Sequence, residues 1–222
     1  MTEVQDEDLT QGRTRWRRFA VVMGSATLLA GGIVVGMANG AIAASFAVSG
    51  STFKVQASSL DGTGFVQYGS FAAEKGARVL PDGRLDPTDP KSHAVAVSGI
   101  KSATLTKLCQ SVVVKGLPVS LVIRAGGNGK PVTAEGLLID ATQLSGDATF
   151  TNMSIGQDAS TLTKAGPNVA GAAGQFGQQA DTVHIDDLKQ VAWATSAGTF
   201  TLNGLDLHVS AVRPGESPEE CF

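Results

Sequence analysis

The chain has few of the residues that catalysis and nucleic-acid binding require. It contains only three histidines in 222 residues, and no nucleophile elbow, phosphate loop, dinucleotide fingerprint or zinc spacing. Aromatic residues make up 5% of the chain, and no basic patch follows the N-terminal segment. A surface that tracks a phosphate backbone is therefore not expected. We assign no catalytic residue, no cofactor and no metal from the sequence, and we predict no nucleic-acid partner.

A stretch without charged residues, Phe19 to Phe53, follows four arginines that lie between residues 13 and 18. Its first part, Phe19 to Met37, is apolar and as a helix would be roughly 28 Å long, close to the hydrocarbon thickness of a bilayer. Arginines beside an apolar helix stay in the cytoplasm. We therefore predict a cytoplasmic basic tail over 1–18 and delivery of residues 44–222 to the outside.

The segment 19–43 has two interpretations. Ala41-Ile42-Ala43 is an acceptable signal-peptidase site, which would make the segment a signal peptide. The apolar run is longer than a signal peptide usually has, which favours a retained single transmembrane anchor. The protein is then either a single-pass membrane protein with its C-terminal domain outside, or a secreted protein cleaved near Ala43.

Two cysteines, Cys109 and Cys221, both lie in the part predicted to be outside. An even number of cysteines in an exported chain predicts one disulfide. Closing a loop of about 110 residues would stabilise the fold by on the order of 4 to 5 kcal/mol. Two buried free thiols are the alternative.

Alternating apolar and polar residues predict half-buried strands, for example at Phe53–Ala57 and Leu205–Ala211. Val112–Val114 and Leu121–Ile123 are apolar on both sides, so we expect them to lie centrally or beneath a second layer. Long helical periodicity is absent after residue 44. The sequence therefore predicts an all-β, mainly antiparallel extracytoplasmic domain over 44–222, preceded by one N-terminal membrane helix.

A repeat is visible in this domain. Four segments place two apolar residues five positions apart at nearly constant intervals: Val55…Leu60, Val95…Ile100, Ile139…Leu144 and Val183…Leu188. This pattern predicts about four strand-rich repeat units and an internal duplication, 44–130 and 131–212. Chance similarity among alternating strands is the alternative.

Long insertions occupy equivalent points of the two halves, Tyr68–Ser92 and Asn152–Asp181. The second is rich in Gly, Ala and Gln, so we interpret it as a flexible loop. Within it, Val169 and Phe176 are candidate contacts to a lipid or a protein partner. A mobile linker without such a role is the alternative.

Asp82, Asp86 and Asp89 lie within eight residues and have the oxygen atoms that calcium prefers. Two prolines and a spacing unlike that of an EF-hand favour a polar turn instead.

His184, Asp186 and Asp187 form at best a weak metal cluster, because strand alternation puts Asp187 on the opposite face. His184 and His208 alternate with apolar residues, so we interpret both as solvated strand positions.

Several stretches resemble one family over nearly the whole chain. These stretches are Arg15-Trp-Arg-Arg-Phe19, the Gly/Ala-rich membrane segment, Ser45-Phe-Ala-Val-Ser-Gly50 and Ala134-Glu-Gly-Leu-Leu-Ile-Asp-Ala-Thr-Gln-Leu144. They resemble an actinobacterial envelope family that has no established function and whose members are sometimes labelled cholesterol esterase. The resemblance implies an envelope location and assigns no active-site residues.

Two functions from different classes follow. The first is a non-enzymatic envelope protein at the membrane, which binds a lipid, another hydrophobic ligand or a membrane protein. The second is an exported lipid-ester hydrolase, in which a serine near His93 or His208 acts without a standard motif.

Overall fold

The computed structural model describes residues 49–213 and 215–222. The predicted cytoplasmic tail, the membrane segment 19–43 and its cleavage zone lie outside the described residues. Within the described ranges, no helix is long and apolar enough to cross a bilayer.

The described residues form an antiparallel β structure with one short 3-10 helix. This confirms the predicted all-β, mainly antiparallel class for this part of the chain. The strands are β1 (Phe53–Ala73), β2 (Ser92–Thr106), β3 (Leu108–Val113), β4 (Val119–Ala125), β5 (Val132–Thr151), β6 (Ser154–Asp158), β7 (Phe176–Ser196), β8 (Thr199–Thr201) and β9 (Asp206–Ala211).

Four long strands close on themselves, and we call this closed sheet the ring. β1 pairs with β2 on one edge and with β7 on the other, while β5 pairs with both β2 and β7. Leu60, for example, lies opposite Leu105 of β2 and Ile185 of β7. β1, β2 and β7 therefore each have a hydrogen-bonded neighbour on both sides over about half of their length or more, whereas β5 pairs with β2 in its first half and with β7 mainly in its second half.

Apolar side chains fill the interior of the ring. Phe65 packs on Phe150 with ring centroids 5.2 Å apart. Gly62 leaves space for Ile100 and Val183, whose methyl carbons lie 2.8 and 2.9 Å from where a Cβ would stand. The space that remains is about 30 Å³, on the scale of one or two waters. A lipid therefore does not fit inside the ring.

The four segments of the predicted repeat lie one on each ring strand. The strand register does not repeat between the two halves, so the structure does not show the duplication, which stays a prediction. Leu60 pairs with Ile185, whereas their sequence counterparts, Leu144 and Val97, do not pair with each other. Val97 lies opposite Asp140 instead.

A second, smaller sheet region extends from the ring at Lys107, whose φ is 51°. On both sides of this residue the chain runs along β1, as β2 before it and as β3 after it. The other edge changes partner, because β2 pairs with β5 whereas β3 pairs with β4, which in turn pairs with β9. We call β3, β4 and β9 the wing.

The C-terminal tail covers one face of the wing. Cys109 and Cys221 form a disulfide, as predicted. The buried Ser111 hydroxyl accepts a hydrogen bond from the backbone N–H of Cys221 at 3.0 Å, and Arg124 donates to Glu219 at 3.1 Å. The tail is thereby fixed to β3 and β4.

The other face of the wing is uncovered, which contradicts the predicted orientation of 205–211. Leu205, Leu207 and Val209 are 52%, 55% and 62% exposed, whereas His208 is half-buried. The prediction was wrong because the tail covers the polar side of β9. β4 is central within the wing, as expected for Leu121–Ile123, but no second layer buries Leu121 and Ile123 completely.

The insertion interpreted as a flexible loop instead packs on the outside of the ring. Its residues Ala159, Leu162 and Ala165 form a buried cluster with Val66 of β1, and Val169 packs against this cluster. Its glycines and alanines allow this close approach.

Reduction of the disulfide should destabilise the domain. The bond joins residues 112 positions apart, for which the chain-entropy model gives about 4 to 5 kcal/mol of stabilisation. Urea unfolding with and without dithiothreitol measures the loss. The double variant Cys109→Ser/Cys221→Ser should start at the lower stability and show no response to the reductant; an unchanged unfolding midpoint would contradict this expectation.

Gly99→Ala should destabilise the domain by about 1 to 3 kcal/mol, because an added Cβ overpacks the contact between ring and loop. It would stand 2.5 Å from a methyl carbon of Val169 and 2.9 Å from one of Val66. Gly69→Ala on β1 is the matched control, since no atom lies within 4 Å of its Cβ position. Equal stabilities for the two variants would contradict this prediction, because the loop would then move away from the added Cβ without a cost in stability.

Candidate functional site

The histidines of the ring bond to carboxylates and not to a nucleophile. His93 Nε2 lies 2.9 Å from Glu74 Oε1. His184 Nδ1 lies 2.7 Å from Asp61 Oδ1, and its Nε2 lies 3.1 Å from Asp186 Oδ2. These hydrogen bonds raise the pKa of His184, that from Asp61 most strongly. The carboxylates of Asp61 and Asp186 are exposed on the same face of the sheet as His184. Strand alternation in the sequence also puts Asp186 on the face of His184.

His208 joins the tail to the wing by hydrogen bonds. The sequence predicted a solvated strand position for this residue instead. Its Nε2 lies 3.2 Å from both carboxylate oxygens of Glu219, and its Nδ1 lies 3.4 Å from Asp206 Oδ1. The bond to Glu219 is the main cause that raises the pKa of His208. The hydrogen bond from Arg124 contributes most to lowering the pKa of Glu219, and the hydrogen bond from His208 contributes the next largest part.

The oxygens of Asp82, Asp86 and Asp89 accept hydrogen bonds within their own loop. Asp86 is buried and accepts from the backbone and hydroxyl of Thr88, which lower its pKa, and its other oxygen lies 2.9 Å from Arg78 Nε. This arrangement is a polar turn, the interpretation that the spacing favoured. In the described part of the chain, no three His, Cys, Asp or Glu residues are grouped so as to hold a metal ion.

An apolar groove of about 450 Å³ opens where the wing meets the ring. The wing contributes Ile123, and the ring contributes Phe53 and Trp193. The chain that follows β7 contributes Phe200 and Leu202. The other lining residues are Ser49, Gln110, Ala194, Thr195, Ser196 and Ala197. This volume lies within the range of roughly 300 to 1,000 Å³ that ligand pockets have.

The polar groups of the groove are uncharged. Thr195 Oγ1 is buried and has no hydrogen-bond partner within the described residues. Thr195 and Gln110 also line the small cavity inside the ring, so the polar end of the groove lies toward that interior. A buried hydroxyl without a partner costs about 1 to 3 kcal/mol.

Trp193 is supported from outside the groove. Its indole stacks on the His93 ring with centroids 3.8 Å apart and planes 11° apart, and Glu74 bonds to that histidine. This contact fixes the indole while leaving it as part of the groove lining.

The residues singled out from the sequence lie elsewhere. Val169 is half-buried against the loop cluster, and Phe176 is 59% exposed at the start of β7. Their contact with a lipid or partner stays a prediction. Sequence reasoning missed the groove because its walls come from segments far apart in the chain. One signal was available: Trp193 is the only tryptophan after the N-terminal segment.

Residues 49–222 match the model of a family of unknown function, DUF6230. The chain belongs to this family. The DUF6230 match begins at the first described residue and includes the ring, the wing and the tail. Comparisons with curated proteins and with solved structures found no match.

Stability should fall as the pH rises through the range that begins near 6.5, the ordinary pKa of histidine. The pKa values of His184 and His208 are raised in the folded protein, so their stabilising contribution is complete below the unfolded value of about 6.5 and is lost as pH rises through the folded values. Thermal unfolding across this range measures the effect. The double variant His184→Gln/His208→Gln should give a flatter profile; an equally steep profile would contradict the assignment.

Proposed function

We propose that this DUF6230 protein is a non-enzymatic cell-envelope protein that binds a neutral lipid, or a similar hydrophobic molecule, in the groove between the ring and the wing. The proposal rests mainly on the groove of about 450 Å³, whose walls are aromatic and aliphatic and whose lining contains no charged residue. Such a lining favours hydrocarbon and disfavours a phosphate or carboxylate headgroup, which would have no cation to pair with.

The polar end of the groove narrows the ligand class. The Gln110 side chain, which has both donors and an acceptor, can exchange one or two hydrogen bonds with a hydroxyl, ester or ketone. Each methylene buried along Phe53, Ile123 and Phe200 would add roughly 0.8 kcal/mol. The groove thus suits a long hydrocarbon that ends in a small uncharged polar group.

The location in this proposal comes from the sequence. The apolar segment 19–43 behind four arginines is the basis for membrane delivery, with 44–222 outside. The Cys109–Cys221 disulfide fits an oxidising compartment.

The hydrolase alternative has less support. Among the described residues, no histidine nitrogen lies within hydrogen-bond distance of a serine, threonine or cysteine side chain. Activation of a hydroxyl nucleophile depends on such a base. His93 and His208, the candidate bases of this alternative, are each bonded to a carboxylate, which can orient a base but does not supply a nucleophile.

A ligand in the groove should quench the fluorescence of Trp193. In the full chain carrying Trp16→Phe, Trp193 is the only tryptophan. Titration with a dibrominated monoacylglycerol, at constant detergent, should give saturable quenching. The matching brominated fatty-acid anion should bind more weakly, because the lining offers it no cation.

Ile123→Glu should abolish the saturable quenching, because it places a charge in the wall of the groove. Ile155→Glu on β6 is the control, since Ile155 is 67% exposed and does not line the groove. Identical quenching curves for Ile123→Glu and Ile155→Glu would contradict the proposal. Labelling by a fluorophosphonate probe that disappears in His93→Ala would support the hydrolase instead.

A further inference from the structure

Apolar side chains on one side of the wing form a partly exposed face, which we call the apolar wing face. It is defined by the half-buried Leu121 and Ile123, the exposed Leu207 and Val209, and the exposed Leu205, which precedes β9. Leu121 pairs with Val209 and Ile123 with Leu207 across β4 and β9. These pairs are adjacent, so their side chains form one contiguous surface. Contiguous apolar surface that stays exposed usually marks an interaction site.

Charged groups of the wing lie on the other side. Arg124 and Asp206 lie directly opposite each other on β4 and β9, one position away from the pair Ile123 and Leu207, so they belong to the other face of the wing. Arg124 bonds to the tail residue Glu219 on that face. His208 also faces the tail. On the apolar wing face, the strand positions carry aliphatic side chains, with the amide of Gln110 beside Ile123. This composition fits hydrocarbon better than a charged protein surface.

The chain itself indicates which hydrocarbon is nearby. Ser49, the first described residue, lines the groove together with Ile123 of the apolar wing face. The eleven residues 38–48 separate it from the predicted membrane span and reach at most about 40 Å when fully extended. A retained span would therefore keep Ser49, and the groove that it lines, within about 40 Å of the outer membrane surface.

We propose that the apolar wing face lies on the lipid surface of the membrane, so that the groove exchanges its ligand directly with the bilayer. This inference rests on the membrane delivery in the proposed function. Ile123 belongs to both surfaces, so a ligand could pass from the bilayer into the groove along apolar side chains. The occupant of the face is phospholipid acyl chain and not a second protein.

Depth-sensitive quenching tests the proposal. The full chain carrying Trp16→Phe/Trp193→Phe receives one new tryptophan, either Val209→Trp on the apolar wing face or Ile155→Trp on β6. Both positions are more than 60% exposed, so neither change should disturb packing. Each protein is reconstituted in vesicles of phosphatidylcholine and phosphatidylglycerol with dibrominated acyl chains.

The tryptophan at 209 should emit at shorter wavelength and lose most of its emission to the brominated chains, whereas the tryptophan at 155 should be unaffected. Adding Leu207→Glu should restore the emission at 209. Equal emission at both positions would overturn the proposal. A blue-shifted but unquenched signal that grows with the protein-to-lipid ratio would also overturn it, because a second copy would then cover the face.

The readout separates this inference from the groove proposal. Ligand binding is measured at Trp193 in detergent, without any bilayer, and can succeed when docking fails. If the N-terminal segment is cleaved, the mature protein is mixed with the same vesicles and the same two positions are compared. Absence of quenching at 209 in that experiment counts against docking.

Discussion

The fold depends on the pairing of β1 along both of its edges. One edge pairs with β2 and β3. The other edge pairs with β7, from Phe53, which lies opposite Ala192, to Tyr68, which lies opposite Gly177. This pairing satisfies the backbone groups of β1 and closes the ring around the main core. It also joins segments that are distant in sequence, a topology that folds slowly compared with local pairings.

Closure by only four strands makes the ring narrow, and this explains much of the composition. Its interior alternates larger aliphatic side chains with alanines, and Gly62 provides the space that Ile100 and Val183 occupy. Phe65 and Phe150 are the aromatic pair that packs with this core. The scarcity of aromatic residues noted in the sequence is thus a consequence of a small cross-section, since large rings would overpack it.

The sequence was informative where a local pattern determines the structure. Alternation found the first residues of β1 and all of β9, and the even cysteine count found the disulfide, because neither signal needs knowledge of distant neighbours. Alternation could not say which side of β9 would be covered. The tail determines that, through Cys221 and Glu219, and it packs on the polar side. The groove escaped prediction for the same reason, because Ile123 and Trp193 meet only after the wing has folded beside the ring.

The position of β1 also has a mechanical consequence for any force that reaches the domain through the chain before Ser49. β1 begins at Phe53, and Lys54 is paired at once with Ser111 on one side and Val191 on the other. The hydrogen bonds of antiparallel strands are perpendicular to the strands. A pull along β1 therefore loads many bonds together in shear and does not open them one by one. The first strand can thus bear tension, as a domain tethered to a membrane would require.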